Sequence, residues 1–178
     1  MLRRWFLVLF ILAFSFGFSE KKIGNWFLSI REDPVTGEVA HLALVFAKES
    51  PPEAINGGAF SFYCNDLGQF GMMLDADLYV GSGTTDVQYR VSALFPKYDR
   101  WDISPKGTAL FPPEPWELLK ELVLAPAPEI AIRVWDYRGV PYTYVFDMAG
   151  LHDLIEQIPC TKGFKERIRK QIIKPSSP

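Results

Sequence analysis

Two cysteines, Cys64 and Cys160, stand about 96 residues apart in a chain of 178, and a bond between them would close more than half of it into one loop. Whether they pair depends on the compartment, which the N-terminus addresses. Met1-Leu-Arg-Arg supplies a positive start, Trp5 to Phe18 is apolar except for Ser15 and Gly17, and Gly17-Phe18-Ser19 places small residues at −3 and −1 of a cut before Glu20. Residues 1–19 therefore read as a signal peptide. The run is short for a bilayer span, which takes roughly 20 apolar residues. The alternative is an uncleaved N-terminal anchor; either way the body is exported, and the expected location is periplasmic or secreted. An even cysteine count in an oxidising compartment predicts a Cys64–Cys160 disulfide. For a loop of this length the chain-entropy model gives about 4–5 kcal/mol of stabilisation. Two separate buried thiols, or a zinc site with His41 and His152, are the alternatives, and the zinc site lacks the usual closely spaced ligand pair.

The length suits one domain, and the charge is laid out unevenly. Residues 20–160 carry eleven Lys or Arg against twenty Asp or Glu, a net of −9, whereas Lys162, Lys165, Arg167, Arg169, Lys170 and Lys174 crowd the C-terminal end with only Glu166 against them. An acidic body excludes nucleic acid as the main partner, since phosphate neutralisation needs the opposite sign. The expected organisation is a signal peptide over 1–19, one β-rich domain over 20–160 and a basic helix or tail over 161–178. In the tail Phe164, Ile168 and Ile172 recur four apart. Such a helix can lie on an anionic membrane surface or a partner, or lean on the acidic body. Lys174-Pro-Ser-Ser-Pro178 is expected to be disordered.

Between these ends the pattern is mostly strand. Val87, Tyr89, Val91, Ala93 and Phe95 alternate with Gln88, Arg90 and Ser92, which predicts a half-buried strand over 86–95. Residues 129–147 read as a hairpin, with Ile130, Ile132 and Val134 on one face, a turn at Asp136-Tyr-Arg-Gly139, and Tyr142, Tyr144 and Phe146 on the return. Further strands are expected at 26–31, 39–47, 59–64, 69–74, 78–80 and 100–103. Glu114-Pro115 opens a helix carrying Trp116, Leu119, Leu122 and Val123, ended by Pro126 and Pro128. Asp147 is expected to cap a second helix whose Leu151, Leu154, Ile155 and Ile158 share a face. The fold class is mainly β (α+β): a small antiparallel β-sandwich or partly open barrel with two short amphipathic helices and one disulfide.

Catalytic chemistry needs a nucleophile, a base and something to orient them. His41 and His152 are the only histidines and neither has a nucleophile motif beside it. Asp75-Ala-Asp77 puts two carboxylates on one side of an extended segment, a pattern used for acid–base work or calcium but also for plain loop solvation. A secreted hydrolase or sugar-acting enzyme using Asp75 and Asp77 is therefore one alternative function. A secreted inhibitor inserting Asn56-Gly-Gly58 or Gly81-Ser-Gly83 is another. The reading preferred is a non-enzymatic binding protein needing no cofactor and no metal. Its candidate binding surface comprises Arg90, Trp101, Arg133 and Trp135: Arg90 and Arg133 point away from the core, Trp135 projects beside Arg133 unless a helix covers it, and Trp101 precedes a Ser-Pro-Lys-Gly turn.

The order of several pieces is also informative: Cys64 ending a strand, Tyr89-Arg90-Val91, Trp101-Asp-Ile-Ser-Pro-Lys-Gly-Thr-Ala-Leu-Phe111, an amphipathic helix, a hairpin, Phe146-Asp-Met-Ala-Gly-Leu151 and a closing Cys160. Over about residues 59–160 this resembles the TagO/VasI family of periplasmic proteins associated with bacterial type VI secretion. Val91-Ser92 departs from the family's Ile-Asp, and the basic tail has no counterpart in the pattern. The resemblance implies a small, mainly β domain with a Cys–Cys bridge, an accessory role at the envelope, and an envelope or secretion-apparatus protein as partner. Mass spectrometry of the exported protein, digested without reduction, is expected to show an N-terminus at Glu20 and a peptide pair linked through Cys64 and Cys160. An N-terminus upstream of Trp5 would establish the anchor instead.

Overall fold

The computed structural model describes residues 19–173, with side chains over 20–170; the expected signal segment through Phe18 and the end from Lys174 lie outside the described residues. Ten strands form one antiparallel sheet. They are β1 (Ser19–Ile23), β2 (Trp26–Glu32), β3 (Val39–Phe46), β4 (Ala59–Asn65), β5 (Phe70–Asp75), β6 (Thr84–Val91), β7 (Lys97–Ile103), β8 (Ala109–Phe111), β9 (Glu129–Trp135) and β10 (Pro141–Asp147). The helices are α1 (Pro115–Leu124), α2 (Leu151–Ile155) and α3 (Phe164–Ile173). The strand order is β1-β2-β3-β4-β5-β8-β7-β6-β9-β10.

The sheet coils until its β10 edge reaches the chain leaving β3. Lys48 N donates to Val145 O at 2.7 Å and Val145 N to Glu49 O at 2.8 Å, so the expected partly open barrel forms, with β1 left as the free edge. Alternation then sorts side chains to two faces. Phe60 and Phe62 of β4, Val87 and Tyr89 of β6, Ile130, Ile132 and Val134 of β9 and Tyr142, Tyr144 and Phe146 of β10 point inward and are buried. Phe60 meets Phe146 across the interior with ring centroids 5.7 Å apart. Tyr144 brings a hydroxyl into this core and satisfies it on Ala76 O at 2.7 Å, as a buried donor must be.

The three helices close the coil. α1 starts at Pro115 as expected and buries Leu118, Leu119, Leu122 and Val123, while Trp116 stays partly exposed against Phe70, ring centroids 4.3 Å apart. α2 buries Leu151, Leu154 and Ile155, and Ile158 follows them inward from the turn beyond. Asp147 does not cap it: the N-cap is Gly150, and the Asp147 carboxylate accepts from Ala149 N at 3.0 Å. Gly150 is required there, because a Cβ would stand 2.5 Å from Ile23 O and the residue holds φ at +91°. This backbone-to-backbone approach, with Asn25 N donating to Ala149 O, seats the β1–β2 turn on α2.

Several boundaries differ from expectation. The strand predicted over 86–95 ends at Val91, since Ser92 adopts φ +49° and its hydroxyl donates to Ala127 O at 2.6 Å; Ala93 and Phe95 are therefore exposed. Residues 78–80 form no strand, because Asp77 turns the chain at φ +52°. Among the described residues, β1 and the three-residue β8 are strands not anticipated; β8 carries the ladder from β5 to β7. The basic tail belongs to the domain rather than hanging from it. Ile168 is 2% exposed and Phe164 packs on Trp116, ring centroids 5.2 Å apart, so those two apolar positions are already covered by the body.

Cys64 and Cys160 are bonded, with Cα atoms 6.0 Å apart, which also removes both sulfurs from any zinc site. The bond joins the end of β4 to the turn after α2, and Cys64 is fully buried. C64A/C160A is expected to unfold at lower urea concentration, losing about 4 kcal/mol, with a steeper denaturant slope because the uncrosslinked denatured chain exposes more surface. A loss under 1 kcal/mol would mean that the strands alone hold the closure.

Candidate functional site

Among the described residues no helix packs on the outer face of β7, β6, β9 and β10, and the register sets its side chains in rows. Gln88 lies opposite Tyr98 on one side and Arg133 on the other, and Arg133 lies opposite Thr143. Hydrogen bonds join the whole row: Gln88 Nε2 donates to Tyr98 Oη at 2.7 Å, Arg133 Nη1 to Gln88 Oε1 at 3.4 Å and Arg133 Nε to Thr143 Oγ1 at 3.0 Å. The guanidinium is thus oriented by neutral partners and met by no carboxylate, with Nη2 free of acceptors among the described residues.

One step along β6 stands Arg90, opposite Ala131 of β9, which faces Val145 of β10. Arg90 is exposed and meets no carboxylate or acceptor among the described residues. Gln88, Arg90, Pro96, Ala131, Arg133, Thr143 and Val145 line a cavity of about 300 Å³. In the other direction Asp86 lies beside Trp135, and Thr85, Asp86, Tyr98, Asp99 and Trp135 line an adjoining hollow of about 590 Å³. Asp86 faces Arg100 at 3.7 Å, with both side chains at least 70% exposed, a pair that contributes little. Of the other acids on this face, Glu129 is held by Lys48 at 3.4 Å and Asp147 by Ala149 N, while Asp102 of β7 has no partner among the described residues.

Three of the four expected surface residues, Arg90, Arg133 and Trp135, therefore share one face. Trp101 does not: it is fully buried on the inner side, its ring centroid 6.2 Å from that of Tyr89, because pairing with Thr85 fixes the inward parity of β7 at that position. Tyr98 and Thr143 were not foreseen. Thr143 alternates with inward Tyr142 and Tyr144, a signal present in the sequence, whereas Tyr98 was hidden by extending the preceding strand to residue 95.

No family model matches the chain, and no curated protein sequence matches it. Among solved structures, the fold is similar to the crystal structure of invasion associated protein B from Bartonella henselae, with a TM-score of 0.54 at 13% identity, covering 86% of this chain and 98% of that one. The likeness is one of fold.

The other candidate residues are held in structural roles. Asp77 accepts from the backbone N–H of Asn56 and from Asn56 Nδ2 at 3.1 Å, while Asp75 Oδ1 accepts from Asp77 N at 3.1 Å. The two carboxylates thus organise their own turn and fasten the Asn56-Gly-Gly58 loop, in which Gly58 abuts the Tyr144 ring. His41 faces inward opposite Cys64, and burial lowers its pKa from 6.5. His152 sits 2.9 Å from Lys165 Nζ through Nδ1; burial, then the Lys165 charge, lowers its pKa as well. Among the described residues no cluster of three or more His, Cys, Asp or Glu is placed to hold a metal.

Both histidines bind a proton less readily folded than unfolded, so stability rises with pH across the interval from their folded pKa values up to 6.5. The urea midpoint is expected to fall between pH 7.5 and pH 5.5, and H41N/H152N to flatten that slope. An equal slope in the variant would assign the dependence to the carboxylates.

Proposed function

We propose that this chain is an exported, non-enzymatic binding module of the bacterial envelope, and that its contact surface is the outer face of β7, β6, β9 and β10. The observation that carries the reading is the row Tyr98–Gln88–Arg133–Thr143, joined by hydrogen bonds. A side chain already held in place loses less entropy on binding. Arginine and aromatic side chains are the types that dominate binding surfaces, and here Arg90, Arg133, Tyr98 and Trp135 adjoin on an uncovered sheet.

The setting is supported by the disulfide, which belongs to oxidising compartments, and by the signal-like N-terminus. The Bartonella protein of similar fold is described as invasion associated, in keeping with work outside the cytoplasm. The TagO/VasI-like pattern over residues 59–160 adds type VI secretion as the proposed context. The acid–base alternative loses support because Asp77 is spent on Asn56.

The test is affinity capture from native envelope extracts with the mature, disulfide-bonded protein and its Y98A/W135A variant, both on the exposed face. The variant is expected to retain its melting temperature and to lose at least fivefold of the captured envelope component. Equal recovery by both proteins would move the contact surface elsewhere.

A further inference from the structure

We propose that Arg90 and Arg133 seat a phosphate group and that the adjoining Trp135 hollow holds the sugar to which it is attached, so that the ligand is a sugar phosphate. The inference rests on the face assigned above and names its chemistry. Both guanidiniums line one cavity, and by register they lie diagonally across β6 and β9, within roughly 8 Å between backbones. Among the described residues neither is neutralised: Arg90 meets no partner, and Arg133 spends two donors on the neutral Gln88 and Thr143 oxygens.

Two forks arriving from different strands decide between oxyanions. A carboxylate keeps both oxygens in one plane, so the acceptor directions left by one bidentate guanidinium also lie in that plane. A phosphate ester offers further terminal oxygens out of that plane, so a second fork finds an acceptor. The floor of Ala131 and Val145 is short, and about 300 Å³ is on the order of ten waters' share of liquid volume, ample for a phosphate. A polyanion fits poorly, because the body around this pair carries a net −9.

The neighbouring hollow is built differently. Trp135 and Tyr98 supply aromatic surface, and Asp86, outward on β6, supplies a carboxylate beside it. Carboxylates accept from hydroxyls and aromatic faces pack on C–H bonds, which suits a pyranose and repels a second phosphate. The two sites meet at the Gln88–Tyr98 bond and at Arg133 and Trp135, two residues apart on the same face of β9.

Calorimetric titration of the mature protein with N-acetylglucosamine 1-phosphate, with N-acetylglucosamine and with inorganic phosphate tests this. The sugar phosphate is expected to bind at least tenfold more tightly than either fragment, and R90Q and R133Q each to weaken it at least tenfold without changing the melting temperature. R90K is expected to recover part of the loss, since it restores charge but not the fork. Vesicles of phosphatidylcholine with and without a phosphorylated, acylated glucosamine disaccharide separate the sources: arginine-dependent retention on the doped vesicles marks a lipid headgroup, and binding of the soluble compound alone marks a free sugar phosphate. No binding of any sugar phosphate, or binding indifferent to both Gln variants, overturns the proposal. If that happens while envelope capture still depends on Tyr98 and Trp135, the face stands and only the ligand class falls.

Discussion

The closure of the sheet on itself governs the rest of the molecule. Antiparallel strands twist, and over ten of them the twist accumulates until an edge must be covered or must meet another part of the chain. Here the β10 edge meets Lys48 and Glu49, and the backbone bonds around Val145 hold it there. That contact turns one sheet into an inside and an outside. It brings Phe146 against Phe60 and lets Tyr144 reach across to Ala76, contacts that a flat sheet of the same strand order could not make.

A coil closed by so short a stretch of backbone needs its ends secured, and the chain uses covalent and apolar means together. The Cys64–Cys160 bond ties β4 to the turn after α2, while ring contacts run from Trp26 through Phe62, Phe70 and Trp116 to Phe164. The second series explains why the basic segment belongs to the domain: Phe164 ends the aromatic chain and Ile168 enters the core. Its cations are thereby held against an acidic body, which lowers the repulsion that body would otherwise feel.

Much of this architecture was legible because the burial pattern is strict. The hairpin over 129–147 shows clean alternation, and Ile130, Ile132, Val134, Tyr142, Tyr144 and Phe146 all point inward as read. The disulfide followed from cysteine parity and compartment. What escaped were features decided by distant partners. β8 is three residues long and is a strand only because β5 and β7 flank it; nothing in Ala109-Leu-Phe111 announces that. Ala93 and Phe95 continue the alternation of β6 in sequence, yet Ser92 turns the backbone by bonding Ala127, a residue 35 positions away. Trp101 carried no periodic signal strong enough to fix its parity. Its inward orientation comes from pairing with β6.

The same alternation accounts for the outer face. Inward positions must be apolar to fill the coil, which leaves every second residue of β6, β7, β9 and β10 free to vary. Solvation alone would be met by lysines and glutamates with mobile side chains, and a face of that kind binds at a high entropic cost. This face carries instead a row of Tyr, Gln, Arg and Thr fixed by three hydrogen bonds, next to an arginine with no partner among the described residues. Leaving two cations without carboxylates in a body with twenty Asp and Glu against eleven Lys and Arg is no aid to folding, since acids were available to pair them. The arrangement is explained by a ligand whose oxygens complete it.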